Sequence, residues 1–298
     1  MRNVDIRVFQ IASTQTNLEE QERWLRDLGA DEYVDGRLAQ VIKDDGLTGS
    51  EMTIGHAAKR CYMAFQESLN PNVTKVRKDW DKYFANILKS GHGSVMEHGS
   101  YSYAIEGVSR VFTAEMNRHR AGVAISEGSL RYIRFNDIPW WMPKSIEVTD
   151  EDLQFLQQSL QAGMGHYQDK ADLIQKKLKT QAIFGKAFKY AEECYVELCE
   201  LWGIDDPSNK MPFSEKKILT SMFRRIIPMG VATGGVWTMN LRAIRHIIAI
   251  RTTEHAEEEI AHVFSLIAKD IIEREPRLMC DFVQDEATGC WVPEHNKV

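Results

Sequence analysis

The sequence has no Cys-x-x-Cys pair and no cysteine–histidine run at zinc-ligand spacing, although it holds five cysteines. Cys61, Cys194, Cys199, Cys280 and Cys290 are an odd number in a long chain, so they read as free thiols rather than a disulfide framework. No apolar run approaches the ~20 residues needed to span a bilayer. Met1-Arg2-Asn3-Val4-Asp5 also lacks the apolar core of a signal peptide. No membrane partner and a cytoplasmic location are therefore expected. Positive charge is not in excess either: the net charge of −6 argues against a general nucleic-acid binder, which would carry a basic surplus along one face. There is no P-loop, no G-x-G-x-x-G after a strand and no G-x-S-x-G elbow, which leaves no sign of a Walker, Rossmann or serine-hydrolase site. Internal repeats and low-complexity segments are absent, and 298 residues are compatible with one large domain or two small ones; without an obvious linker, a single domain over 1–298 with an insertion is favoured. Hydrophobic content of 43% is ample for its core.

What the chain does have is local positive charge. Arg118-His119-Arg120 is followed after residues 121–128 by Ser129-Leu130-Arg131-Tyr132, with Gly122 and Gly128 in between. Guanidinium forks and loop amides match phosphate oxygens, so this stretch suits an anion such as a nucleotide phosphate. Val108, Val111, Phe112 and Met116 precede it, and Tyr132, Ile133 and Phe135 follow. Cations bracketed by core-like segments need partners.

Alternation predicts strands over 4–12 and 100–108, and helical spacing predicts helices over 18–28, 53–65, 80–88 and 109–117, the last delivering Arg118. The polar stretch 36–49 reads as irregular. Thr149 and Asp152 form a capping-box pattern ahead of Leu153, Leu156, Leu160, Met164 and Tyr167 at helical spacing. Helix is expected again over 182–202, a loop over 203–213 with Pro207 and Pro212, and helix from Glu215. From Trp237 to Glu273 no Pro or Gly interrupts a helical pattern.

A second group of cations and imidazoles lies in that segment: Arg242, Arg245, His246, Arg251 and His255, with Arg224 and Arg225 upstream. On one helix, 242 with 245 and 246, and 251 with 255, would be neighbours able to converge on one ligand. The alternative is surface pairing with Glu254, Glu257, Glu258 and Glu259. His92 and His98 flank Glu97, but two histidines six apart do not match zinc spacing, so no metal is expected.

Taken in order, His92-Gly93-Ser94 with Glu97-His98, Glu106-Gly107-Val108-Ser109-Arg110, Arg118-His119-Arg120 and Ser129-x-Arg131-Tyr132 resemble the signature of flavin-dependent thymidylate synthases. Ala57-Ala58-x-x-Cys61-Tyr62, Arg224 with Pro228, and Asn240-x-Arg242 with Arg251, His255 and Glu259-Ile260 look like further segments of that family, so the resemblance runs from about 54 to 262. It implies an α+β fold: a curved antiparallel sheet flanked by helices, to which this chain would add a helical insertion around 180–212. It also implies a homotetramer whose active sites form between subunits. FAD, NADPH and 5,10-methylenetetrahydrofolate would serve the reductive methylation of dUMP to dTMP. By resemblance, His98, Arg118, His119, Arg120, His246 and His255 lie along the flavin. Glu115, Glu127, Gly128, Ser129, Arg131, Arg224 and Arg251 would hold the nucleotide. Arg251 and Ser129 stand closest to the chemistry, with Arg251 stabilising negative charge on the uracil. None of the cysteines sits in the Pro-Cys-His setting of the classical synthases, which attack the uracil with a thiolate.

The chain departs from the family in three places. Eight residues, 121 to 128, stand where seven are usual between Arg-His-Arg and the serine, and Glu115 replaces a common glutamine. The region 180–212 is larger than in compact members. These leave open a hydroxymethylase acting on dUMP or dCMP, if water captures the exocyclic methylene, or a catalytically idle nucleotide-binding homologue.

Overall fold

The computed structural model describes residues 2–38, 41, 46–162 and 168–298. Part of the expected irregular stretch 36–49, and Met164 and Tyr167 of the expected helix, lie outside them. The strands in chain order are β1 (Arg2–Asn3), β2 (Arg7–Ser13), β3 (Ser100–Ser109), β4 (Val123–Glu127), β5 (Pro139–Trp140), β6 (Ala232–Asn240), β7 (Phe282–Gln284) and β8 (Trp291–Pro293). The helices used below are α1 (Leu18–Asp27), α2 (Gly49–Tyr62), α3 (Trp80–Lys89), α4 (Arg110–Met116), α5 (Asp150–Ala162), α6 (Gln168–Leu201), α7 (Phe213–Phe223), α8 (Leu241–Arg251) and α9 (Glu258–Arg274). The main sheet has the order β2-β3-β6-β4 and is open. Asn240 N donates to Gly122 O (2.9 Å) and Gly128 N to Gly234 O (2.8 Å), so position rises along β4 as it falls along β6. That is an antiparallel ladder. The mixed helix-and-sheet class with an antiparallel sheet is as expected.

Two compact units make up the chain. One contains Met1–Arg7, Ile105–Glu115 and Glu127–Gly235. Its core gathers Phe135, Ile138 and Trp140 with Phe188 and Tyr195 of α6 and Leu219 and Phe223 of α7. The β1 and β5 strands pair in parallel, Arg2 opposite Pro139. The capping box ahead of α5 is present: Asp152 N donates to Thr149 Oγ1 (3.2 Å) and Thr149 N to Asp152 Oδ2 (3.3 Å). The helix expected over 182–202 is the later part of α6, which runs 34 residues, about 50 Å at 1.5 Å per residue.

The other unit contains Val8–Ala104, Met116–Ser126 and Val236–Val298. Thr48 and Glu51 close a capping box at the start of α2, four residues before the apolar periodicity at Thr53 suggested. The helices α8 and α9 pack together, and they bury Ile244, Ile247 and Ile248 on the one and Ile260, Val263, Phe264 and Ile267 on the other. Here the sequence reading is corrected: 237–273 is not one helical run. Trp237 and Met239 alternate inward on β6, and Asn240 then accepts Ala243 N–H (2.8 Å) to start α8. The helix stops at Arg251, and Glu257 starts α9 by accepting the N–H groups of Glu259 (3.0 Å) and Ile260 (3.2 Å). Side-chain caps set these boundaries, so no Pro or Gly was needed.

Candidate active site

In the unit that carries it, Arg118-His119-Arg120 leaves buried Met116 in a turn, His119 N donating to Met116 O (3.0 Å). Gly122 then takes φ +70°, and a Cβ there would come within 2.4 Å of Asn240 Nδ2. Only glycine suits both the left-handed backbone and that close approach. Its carbonyl accepts from Asn240 N, so the turn is pinned to the residue that starts α8. The far end of the same helix returns to the turn: Arg251 Nε donates to His119 Nε2 at 2.9 Å. Because a guanidinium only donates, that bond requires Nε2 to carry a lone pair, which fixes the His119 tautomer with its proton on Nδ1. Arg118 and Arg120 are exposed on either side of half-buried His119.

The turn 93–98 packs against α8. There Arg242 Nη1 reaches Glu97 Oε1 at 2.6 Å, while His98 and, one helical turn beyond Arg242, His246 are exposed. The expected convergence of the second cation group is only partly met. Arg245 is fully buried and binds both oxygens of Asp281 (2.8 Å each) and Leu278 O (2.8 Å), a structural clamp on the C-terminal segment. His255 is exposed in the segment after α8 has ended, so it is not a helical neighbour of Arg251.

The other unit carries the residues expected at the nucleotide. Glu127, Gly128, Ser129 and Arg131 are half-buried, as is Glu115. Arg110, at the first turn of α4, forms an ion pair with Glu127 and donates to Gly128 O (3.1 Å). Burial, and then the neighbouring Arg224, push the Arg110 guanidinium below its usual range. It remains a cation, since arginine does not deprotonate in proteins. A Cβ on Gly128 would sit 2.7 Å from Thr233 Oγ1 and 3.0 Å from Gly234 O, so the strand edge leaves no room for a side chain there. Arg131 Nε reaches Ser129 Oγ at 3.4 Å, and its carbonyl accepts from Thr220 Oγ1 at 2.9 Å. Beyond it, Tyr132 stacks on Phe213 with ring centroids 6.0 Å apart, over a cavity of about 380 Å³ that Arg131 and Lys217 also line. Arg224 is exposed in the turn after α7.

Sequence reasoning gave Arg110 no role. Arg110 opens α4 while its partner Glu127 ends β4, and no local spacing links the two. Among the described residues no group of three or more His, Cys, Asp or Glu could hold a metal ion, and all five cysteines are free.

The chain thus combines an open antiparallel sheet and helices with exposed or half-buried arginines in both units, among them the bonded His119–Arg251 pair. The family model for the thymidylate synthase complementing protein matches residues 42–277, and the chain belongs to that family. Over 234 residues it is 28% identical to the flavin-dependent thymidylate synthase of Mycobacterium sp. (strain JLS), covering 78% of this chain and 80% of that one. The enzyme of the same name from Mycolicibacterium vanbaalenii is 26% identical over the same shares. Among solved structures, the UMP/dUMP methylase PolB from Streptomyces cacaoi bound with 5-Br dUMP superposes with a TM-score of 0.57 at 17% identity, over 94% of this chain and 95% of that one. The 5-Br UMP complex gives 0.55 at 16%, over 93% and 94%. Those two likenesses concern the fold.

Proposed function

We propose that this chain is a flavin-dependent thymidylate synthase that reductively methylates dUMP to dTMP. The observation that carries the reading is the family match over 42–277, which contains both arginine clusters. The donor set fits a flavin nucleotide: Arg118 and Arg120 offer exposed guanidiniums for a diphosphate, flanking an imidazole held in one tautomer, with His98, His246 and His255 exposed in the same unit. Those six residues would hold FAD, which when bound supplies the hydride that completes the methyl group. Carbon would come from methylenetetrahydrofolate and electrons from NADPH. Glu115, Glu127, Gly128, Ser129, Arg131 and Arg224 would bind and orient the nucleotide. Arg251, anchored on His119, would stabilise charge on the uracil ring.

The proposal includes a single functional domain over 1–298, a curved sheet, a helical enlargement at 180–212 and a cytoplasmic homotetramer with shared active sites. No described helix is long and apolar enough to cross a membrane. Ile183, Tyr190 and Leu201 on α6, with Phe213 and Ile218 on α7, are large apolar side chains left exposed, which supports self-association.

The eight-residue stretch 121–128 favours a second reading, a different pyrimidine nucleotide or a hydroxymethylated product. The two separate when purified protein is incubated with labelled methylenetetrahydrofolate, NADPH and dUMP, UMP or dCMP, and the product is weighed by mass spectrometry. dTMP supports the first reading. A hydroxymethyl nucleotide without dTMP replaces it, and a colourless protein with no product would mark an idle homologue. Arg251→Ala is expected to weaken dUMP binding tenfold or more, about 1.4 kcal/mol or above, with flavin content by visible absorbance little changed. Unaltered dUMP affinity would remove Arg251 from the site.

A further inference from the structure

In the unit that carries Arg118-His119-Arg120, a cavity of about 480 Å³ opens beside α2 and α3, lined by none of the residues assigned above to flavin or nucleotide. Its lining is cationic: Arg37, Lys59, Arg77 and Lys78, set against two carboxylates, Glu32 and Glu67. Tyr33, Phe65 and Trp80 supply apolar ring surface. Lys59 is 2% exposed, and its ammonium has no carboxylate within ion-pair distance among the described residues. It donates to Arg77 O (3.1 Å) and stands 4.5 Å from the Tyr83 ring centroid and 5.2 Å from that of Trp80. A buried ammonium with one carbonyl and ring faces for company has given up more hydration than those contacts return. Burial, and then Arg37 and Arg77, push Lys59 down to about 8.

A second, independent feature lies in the same wall. Trp80 is 5% exposed, and its indole N–H is buried without an acceptor. Indole nitrogen is a donor only, so what it lacks is an oxygen. An ammonium without a carboxylate partner and a buried indole N–H without an acceptor, both on residues that line one cavity, call for a ligand rich in acceptor oxygens and negative charge. The cavity volume falls in the range of small-molecule sites, and planar rings line it.

We propose that this cavity is a second ligand site that takes a nucleoside polyphosphate, its phosphates held by Lys59, Arg37 and Lys78 and its base against Tyr33 or Phe65. The site is distinct from the one proposed for dUMP, and it does not depend on the reaction assigned to that site. Binding here would place a regulatory nucleotide on α2 and α3.

The test is calorimetric titration of the full-length protein with ATP and with dTTP, at saturating FAD and dUMP so that both sites proposed above are occupied. At least one triphosphate is expected to bind with unit stoichiometry, tenfold or more weaker in both Lys59→Met and Lys78→Gln. Lys59→Met should also melt no lower than wild type without ligand, because it removes an unpaired buried charge while keeping the side-chain volume. If Lys59 is only a packing cation, the variant melts lower and binding is unchanged in Lys78→Gln, which overturns the proposal. So does the absence of binding to wild type, or inorganic phosphate binding as tightly as either nucleotide.

Discussion

Arg110 fixes two groups at the end of one strand, next to residues proposed to bind the nucleotide. It holds the Glu127 carboxylate and the Gly128 carbonyl together, two groups on successive residues at the end of β4. A planar guanidinium can serve both because its donors diverge in fixed directions, whereas an ammonium is a point charge. Arg110→Met is expected to raise KM for dUMP on the order of tenfold while kcat falls less. Arg110→Lys should restore little of that loss. Steady-state kinetics on both variants, with melting curves to show that they fold, check the assignment; a KM equal to wild type would show that the edge keeps its shape without Arg110. Ser129, Arg131, His119 and Arg251 stand out in the sequence by motif, and the structure sets Arg131 Nε 3.4 Å from Ser129 Oγ and Arg251 Nε 2.9 Å from His119 Nε2. The partner of Arg110 does not stand out in this way, because sheet pairing between β4 and β6 decides what lies beside it.

Among the elements, α8 connects the most to the candidate site. It begins on Asn240, which also binds Gly122, and ends on Arg251, which binds His119. Its middle is held by Arg245 against Asp281, with side chains 1% and 3% exposed. In the sequence, Arg245 sat among candidate ligand-binding cations; helical spacing says which residues share a face, but not which face is buried. Its partner lies on the chain returning after α9, and nothing local announces it. The missed boundaries at 240 and 252–257 have a similar cause: the apolar period continues through both, and the capping side chains of Asn240 and Glu257 decide the breaks. Arg245→Met leaves Asp281 buried without its cation. A loss on the order of 3–5 kcal/mol in urea unfolding is expected, with part recovered when Asp281→Leu is added. A loss below about 1 kcal/mol, in the range of a surface pair, would contradict the clamp.

At the scale of the molecule, contacts between residues far apart in sequence close the unit that contains α2, α8 and α9. Thr48 Oγ1 donates to Glu275, and Arg277 binds Glu51 (2.9 Å) and Asp81 (2.7 Å). The helices themselves were legible from periodicity; their mutual placement was not, because these partners are more than 190 positions apart. Glu275 makes that closure sensitive to pH. Burial raises its carboxyl to about 7, against a smaller opposing effect of the Thr48 hydroxyl, and the nearby Glu51 adds to the rise. A folded-state value above the unfolded one means that folding favours the protonated acid. The associated stability is full below the unfolded value near 4.5 and is lost as pH rises through about 7. A shift of this size corresponds to roughly 3 kcal/mol between the two limits. Glu275→Gln keeps an acceptor for Thr48 and cannot ionise. It is therefore expected to be more stable than wild type at pH 8, with the difference shrinking toward zero near pH 4.5. Urea unfolding of both proteins from pH 4.5 to 8 measures that difference directly. A constant offset across the range would mean that Glu275 keeps its charge in the fold, and the closure would then have to be insensitive to this carboxyl.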